Sequence, residues 1–347
     1  MALMPALLPG AFPGARGYLD SATLGLPAPA TRAALGGAID AWADGRTDAK
    51  AFDEDVRRSR EAFARLAGVA PERVAAAGQV SSFVGLVAAS LPVGGRVLLP
   101  DGEFTSVLFP FLAQGHLDVR TAPLERLADA VDGQTELVAF SAVQSADGAI
   151  ADREAVTTAA RAAGARVLID VTQAAGWMPI GGWDVDFLVC GAYKWLLSPR
   201  GTAFLTGDEA ALADLPAQHA GWYAGEDRWA SIYGGPLRLA GDARRLDLSP
   251  AWLCWVGTAP ALEFVEEVGV AAIGAHDVAL AAGLRAAAGV PENGSAIVSL
   301  SLDEAAAARL RDADVRFSVR DGRARISFHL YNDEDDLDRV LGALRLG

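Results

Sequence analysis

Short apolar runs alternate along this chain with longer stretches in which apolar residues recur every three or four positions. Runs at 96–99, 137–140, 167–169, 187–189 and 203–205 predict strands, because each is brief, rich in Val, Ile, Leu or Phe, and bounded by polar or turn-forming residues. Helical spacing predicts helices over 28–44, 52–68, 83–91, 105–113, 124–131 and 152–163. Strands separated by helices predict an α/β fold, with a mostly parallel central sheet covered by helices on both faces. The pattern loosens from 221 to 255, where Trp222, Tyr223, Trp229, Tyr233, Trp252 and Trp255 crowd together. That stretch is read as irregular, lying over a site or a subunit interface, where aromatic side chains concentrate. Beyond it, a helix over 258–268, strands at 296–300 and 323–328 and a last helix over 333–346 predict a smaller α+β C-terminal domain. The expected division is an N-terminal arm over 1–27, a large domain over 28–250 and a small domain over 251–347.

In open parallel sheets, ligands sit beyond the carboxyl ends of the strands. Asp170 directly follows the apolar run 167–169 and is therefore placed to face such a site. Gly78-Gln79-Val80-Ser81-Ser82 precedes a helical run and could present free backbone N–H groups to a phosphate. The same residues could be no more than a helix cap.

Composition changes this picture at one place. The chain has 347 residues, is 52% hydrophobic and carries a net charge of −14. It shows no basic stripe, so nucleic acid and anionic membrane are not expected partners. No apolar stretch of membrane-spanning length escapes Gly, Pro or charge, and the apolar start, 1–10, lacks a basic leader and contains Pro5 and Pro9. Cys190 and Cys254 are isolated, which fits buried thiols and a reduced, cytoplasmic setting rather than a disulfide framework. The four histidines show no metal-like spacing, and no metal is expected. Of the 30 Lys and Arg residues, only Lys50 and Lys194 are lysines. Lys50 lies in a polar helical stretch, whereas Lys194 stands among aromatics in Ala192-Tyr193-Lys194-Trp195-Leu196. Arginine cannot replace lysine in imine chemistry, because guanidinium stays protonated. Lys194 is therefore a candidate nucleophile, or alternatively a lysine whose stem merely packs beside a strand.

Four signals converge around it: Asp170; Gln173 in Asp170-Val-Thr-Gln173-Ala-Ala-Gly176; Lys194; and the turn Ser198-Pro199-Arg200-Gly201-Thr202. Pyridoxal 5′-phosphate (PLP) needs such parts: an anion to keep its pyridine nitrogen protonated, a lysine to hold its aldehyde, and donors for its phosphate. The stretch 170–205 resembles the core of fold-type I PLP-dependent enzymes of the aminotransferase class V family, which includes cysteine desulfurases, kynureninases and isopenicillin N epimerase-like proteins. Gly257-Thr258 and 325–332 (Arg-Ile-Ser-Phe-His-Leu-Tyr-Asn) resemble two further motifs of that family, in the expected order.

The resemblance implies roles residue by residue. Lys194 would form the Schiff base and then shuttle the Cα proton. Asp170 would pair with the pyridinium and Gln173 would contact the ring oxygen. Val80, through its N–H, and Ser81 would bind the phosphate. Phe104 would stack on the ring and Tyr193 could donate to the phosphate. Thr258 would reach the cofactor of a second subunit, implying a homodimer with its active site at the interface. Arg325 would grip the carboxylate of a small-molecule amino-acid substrate.

Departures from the family pattern narrow the reading. The stretch 318–324, where desulfurases carry a nucleophilic cysteine, contains none. Gly191 stands where a phosphate-binding serine is frequent. The expected function is a PLP-dependent lyase, acting by β-elimination or by C–S or C–C cleavage. An aminotransferase or epimerase of the same group is the alternative, and a non-catalytic PLP-fold binding protein a further one.

Overall fold

The structure, a computed structural model, describes residues 10–346; of the expected arm and the apolar start, residues 1–9 lie outside them. Ten strands are described: β1 (Ala75–Ala77), β2 (Arg96–Pro100), β3 (Asp118–Ala122), β4 (Thr135–Ser141), β5 (Arg166–Asp170), β6 (Phe187–Gly191), β7 (Ala203–Gly207), β8 (Ile297–Leu300), β9 (Ser318–Arg320) and β10 (Arg323–Ser327). The helices are α1 (Pro29–Ala43), α2 (Phe52–Ala67), α3 (Val80–Ala89), α4 (Thr105–Leu112), α5 (Arg153–Ala163), α6 (Glu209–Asp214), α7 (Trp252–Val268), α8 (Val270–Ala288), α9 (Glu304–Asp312) and α10 (Glu334–Leu344). The first seven strands form one sheet in the order β1-β7-β6-β5-β4-β2-β3. β2 to β6 run parallel, and β7 is antiparallel to both of its neighbours. β8, β10 and β9 make a separate antiparallel sheet. This is the expected architecture of a helix-covered, mostly parallel sheet with a small α+β unit.

Alternation along β4 shows how the layers form. Val138 and Phe140 face a core shared with α2, α5 and α7, including Val56, Phe63, Val156 and Leu262. Leu137 and Ala139 face the opposite core, with Phe83 and Val84 of α3 and Val107 and Phe111 of α4. A third core, with Leu284, Val298, Ile326 and Val340, joins α8, α10 and the small sheet, and takes in Leu19 from the N-terminal arm. By length and composition α8 is apolar enough to cross a bilayer. Here it buries His276, Asp277 and Arg285 inside the protein.

Two expectations about elements need correction, at 124–131 and at the start of α7, and two strands, β1 and β3, carry no sequence signal. The stretch 124–131 holds a 3-10 turn at Leu124–Arg126 followed by further turns, not a helix; Pro123 before it and Gly133 behind it interrupt the helical pattern at both ends. β1 is three alanines, a helix-favouring composition overridden by pairing with β7. β3 is a polar edge strand, a kind that carries little apolar signal. α7 starts at Trp252 rather than 258, so the irregular segment ends where the last two tryptophans become helical.

Candidate functional site

The carboxyl ends of β5 and β6 lie side by side, with Asp170 paired to Val189. Asp170 is the last residue of β5, and the chain leaves β6 at Gly191 directly into the turn that carries Lys194. That turn is fixed on several sides. Gly25 donates its N–H to the Tyr193 carbonyl at 3.0 Å, and Leu197 donates to the Lys194 carbonyl at 3.2 Å while itself in the left-handed region at φ 56°. Gly25 packs so closely that a Cβ there would stand 2.0 Å from the Lys194 oxygen. Only glycine allows this approach.

Lys194 and Asp170 face a cavity of about 230 Å3, walled by Gly78, Gln79, Val80, Phe104, Thr172, Gln173, Tyr193 and Arg200 among others. Lys194 is only 5% exposed. Its amine has no hydrogen-bond or ion-pair partner among the described residues, and lies 5.4 Å from the Phe104 ring centre and 5.6 Å from that of Tyr193. Burial pulls the amine well below the usual lysine range, opposed by Asp170 and aided by Arg325. Burial likewise pushes the Asp170 carboxyl up, opposed by its hydrogen bonds from Thr172 and by the lysine. Asp170 Oδ1 accepts from the Thr172 N–H at 2.8 Å, and the Thr172 hydroxyl accepts from the Gly191 N–H at 2.8 Å, so the two strand ends are tied together.

Gln173 also lines the cavity, and its amide is set by protein. Its Oε1 accepts from the Trp195 indole at 2.8 Å, and its Nε2 donates to the Ala22 carbonyl and to Ser145 Oγ, both at 3.0 Å. Val80 opens α3 at the cavity wall. Gln79 places no side-chain cap on this helix, which leaves the first N–H groups facing outward. Ser81, one residue further along, is not among the lining residues.

Two expected residues sit elsewhere than anticipated. Thr258 is fully buried in its own chain, where its hydroxyl bonds Ser198 at 2.5 Å, Thr202 at 3.1 Å and the Cys254 carbonyl at 2.8 Å. It therefore does not face outward toward a second subunit. Arg325 is buried and stands behind Ser145, not on the cavity wall where a substrate carboxylate would meet it. Its guanidinium donates to the Ser145 carbonyl at 2.5 Å, to Thr23 Oγ1 at 2.6 Å and to Ser318 Oγ at 3.1 Å.

Two residues escaped the sequence reading. Glu103 is a buried carboxylate that accepts from the N–H groups of Phe104 and Ser141, the Ser141 hydroxyl and the Gln144 amide. It fixes the wall beneath Phe104; no periodicity marks it, since it sits in a loop. Arg200 is exposed on the cavity wall beside Tyr193, with no carboxylate partner among the described residues. Its signal was its place in the Ser-Pro-Arg-Gly-Thr turn after the lysine.

An unbonded buried amine, a buried carboxylate at a strand end and an uncapped helix start, all on one cavity, define the site class of a lysine-held aldehyde cofactor bearing a phosphate. Comparison with known proteins agrees. The aminotransferase class-V profile matches residues 102–288, more than half of the chain. An uncharacterized aminotransferase of Bacillus subtilis is 27% identical over 85% of this chain and 84% of its own length. A kynureninase of Salinispora tropica is 31% identical over 76% of this chain and 69% of its own. Among solved structures, the cysteine desulfurase CsdA of Escherichia coli superposes with a TM-score of 0.85 at 19% identity, covering 99% of this chain and 98% of that one. A variant of the lyase C-DES, solved with glycine covalently linked to its PLP cofactor, superposes at 0.86 and 18%, covering 97% and 99%. This chain belongs to the aminotransferase class-V family. The family is PLP-dependent and its members are enzymes.

Proposed function

We propose that this protein is a PLP-dependent lyase acting on a small amino acid, with Lys194 as its cofactor lysine. The observation that carries the reading is the Lys194 amine, buried without a partner and facing a cavity it shares with Asp170. PLP, when bound, supplies an aldehyde for the amine and an electron-accepting ring. The chain's own residues do the rest. Asp170, held by Thr172, presents a carboxylate to a ring nitrogen. The free N–H groups at Val80 and Ser81 suit a phosphate, with Tyr193 as a further donor. Phe104 covers one face of the cavity. Once freed, the Lys194 amine is the only lysine base at the site; its lowered proton affinity lets it take and return a substrate Cα proton near neutral pH. Gln173, clamped by Trp195, has both amide hydrogens on Ala22 and Ser145 and can donate to a ring oxygen only where Ser145 yields. Arg325 can reach a substrate carboxylate only where Ser145 or Thr23 yields, whereas Arg200 is already free to meet an anionic group.

Lyase chemistry without a persulfide fits the two cysteines. Cys190 is enclosed in β6 with its thiol pushed up by burial and by Asp170, and burial raises Cys254 too. Transamination is the competing reading, supported by the description of the Bacillus subtilis relative. The purified protein is expected to be yellow, and Lys194→Ala to lose that absorbance. Release of pyruvate and ammonia from an amino-acid panel without any oxo-acid acceptor supports the lyase; strict dependence on an acceptor overturns it in favour of transamination. We also propose a homodimer. Exposed Trp42 and Ile39 on α1 lie on the side of the molecule where Phe52, Trp252 and Leu253 leave an apolar hollow. Sedimentation should give twice the chain mass, and Trp42→Glu should halve it.

A further inference from the structure

The backbone of the lysine turn is gripped by a residue the proposed chemistry does not use. His329 follows β10 and is fully buried. Its Nε2 lies 3.1 Å from the carbonyl oxygen of Trp195, the residue directly after Lys194. Its Nδ1 lies 3.0 Å from Asp277 Oδ2, on α8. The Trp195 carbonyl can only accept, whereas the Asp277 carboxyl accepts when ionised and donates when protonated. A carbonyl oxygen has no proton to give, so Nε2 carries one. A second proton lies between Nδ1 and the carboxylate. The pair thus holds two protons, whichever atom of the Nδ1–Oδ2 contact the second one rests on.

Asp277 is dedicated to this task. It is fully buried, its Oδ1 has no hydrogen-bond partner among the described residues, and the imidazole is its one ion-pair partner there. One helical turn before it, Gly274 lets α8 press against the Trp177 carbonyl, where a Cβ would stand 2.1 Å away. The close contact brings Asp277 within reach of the ring. Gly176 flanks the Trp195 oxygen from another side, where a Cβ would stand 2.3 Å away. The same tryptophan donates its indole N–H to Gln173. A buried carboxylate, an imidazole and a carbonyl therefore run in line from α8 to the lysine turn.

We infer that His329, oriented by Asp277, is a positioning residue: it holds the Trp195 carbonyl and thereby sets the direction in which Lys194 presents its amine. This rests on Lys194 being the cofactor lysine. The test uses cofactor-free protein and two readouts, amide hydrogen exchange over 192–198 and the rate at which visible absorbance appears on adding PLP. His329→Ala and Asp277→Ala are expected to speed exchange over 192–198 and to slow uptake about tenfold or more, since misplacement by 1 Å can have a hundredfold effect. Asp277→Asn still donates to Nδ1 and leaves Nε2–H on the carbonyl, so both readouts should stay at wild type. Leu284→Ala, in the third core and also on α8, should lower the melting temperature without moving either. If Leu284→Ala reproduces both changes, or His329→Ala takes up PLP at the wild-type rate, the inference fails. Should His329→Ala not fold, His329→Leu, which fills the space without a donor, takes its place, and an exchange pattern like that of wild type with wild-type uptake for that variant and for Asp277→Ala overturns the inference. A wild type that takes up no PLP would instead sink the Lys194 assignment, while exchange still reports whether the turn is held.

Discussion

Two carboxylate–cation pairs are buried in this molecule to the same depth and behave oppositely. Arg60 on α2 and Asp247 form a direct ion pair at 2.6 Å, with side chains 6% and 0% exposed. Every strong acceptor there is used: Asp247 also accepts from the Ala76 N–H at 2.8 Å, and Arg60 donates to the Val74 carbonyl. Lys194 and Asp170 are each 5% exposed, yet they do not bond each other. Burial therefore does not mark a reactive site. Burial pushes the Asp247 carboxyl up too, against its bonds to Arg60; what marks the reactive site is burial left uncompensated and facing a cavity, with the lysine as well as the carboxyl displaced toward its neutral form. The first pair fastens the 243–247 turn onto β1; the second stores unused hydrogen-bonding capacity for a ligand.

Breaking each pair should separate these roles. The largest effect is expected from Arg60→Ala, which strands a buried carboxylate and should destabilise by about 3–5 kcal/mol in urea unfolding. PLP uptake per folded molecule should not change. Replacing both partners, as Arg60→Met with Asp247→Leu, should recover most of that loss, because well-packed apolar substitutes are often neutral to stabilising by about 1–4 kcal/mol. If the double variant is no better than the single, the pair does more than fasten. Glu103→Gln places an amide against the donors it now accepts from, and should destabilise by about 1–3 kcal/mol and loosen Phe104, read as weakened PLP binding. The smallest effect, and the sharpest contrast, should come from Lys194→Met. The folded amine holds its proton more weakly than the unfolded chain does, so it opposes folding in full while charged. That opposition fades as pH rises toward the ordinary lysine value of 10.5. Cofactor-free Lys194→Met should therefore melt higher than wild type, more so at pH 6 than at pH 9, by about 2–4 °C for each kcal/mol relieved. An equal shift at both pH values would show that the amine is not buried as a strained charge.

The same contrast explains what could be read from the sequence. Asp170, Gln173 and Lys194 were legible because a strand end, a turn and a scarce residue type coincide within a short stretch. The helix-covered parallel sheet was legible because buried parallel strands are continuous apolar runs. Long-range partners were not. Glu103 and Asp277 are ordinary acidic residues until folding brings Ser141 or His329 to them. Arg325 was legible as a motif residue, but its bonds to Thr23 and Ser145 join positions about 300 and 180 residues apart. Thr258 carried a motif without an indication of which hydroxyls would enclose it. β1 was hidden because three alanines become a strand only where β7 supplies the pairing.

The N-terminal arm has a consequence for how the chain is made. Tyr18 bridges Arg316 and Asp20 bridges Ser327, while Ala22, Thr23 and Gly25 bond Gln173, Arg325 and Tyr193. The wall behind the lysine is thus closed by residues about 300 positions apart in the sequence. Contacts so distant in sequence form late and slowly. On the ribosome the large sheet can assemble with its lysine in place, but the cavity stays unfinished until the strand after residue 322 has emerged. Cofactor capture should accordingly follow the emergence of that strand, and a nascent chain stalled before it should remain colourless.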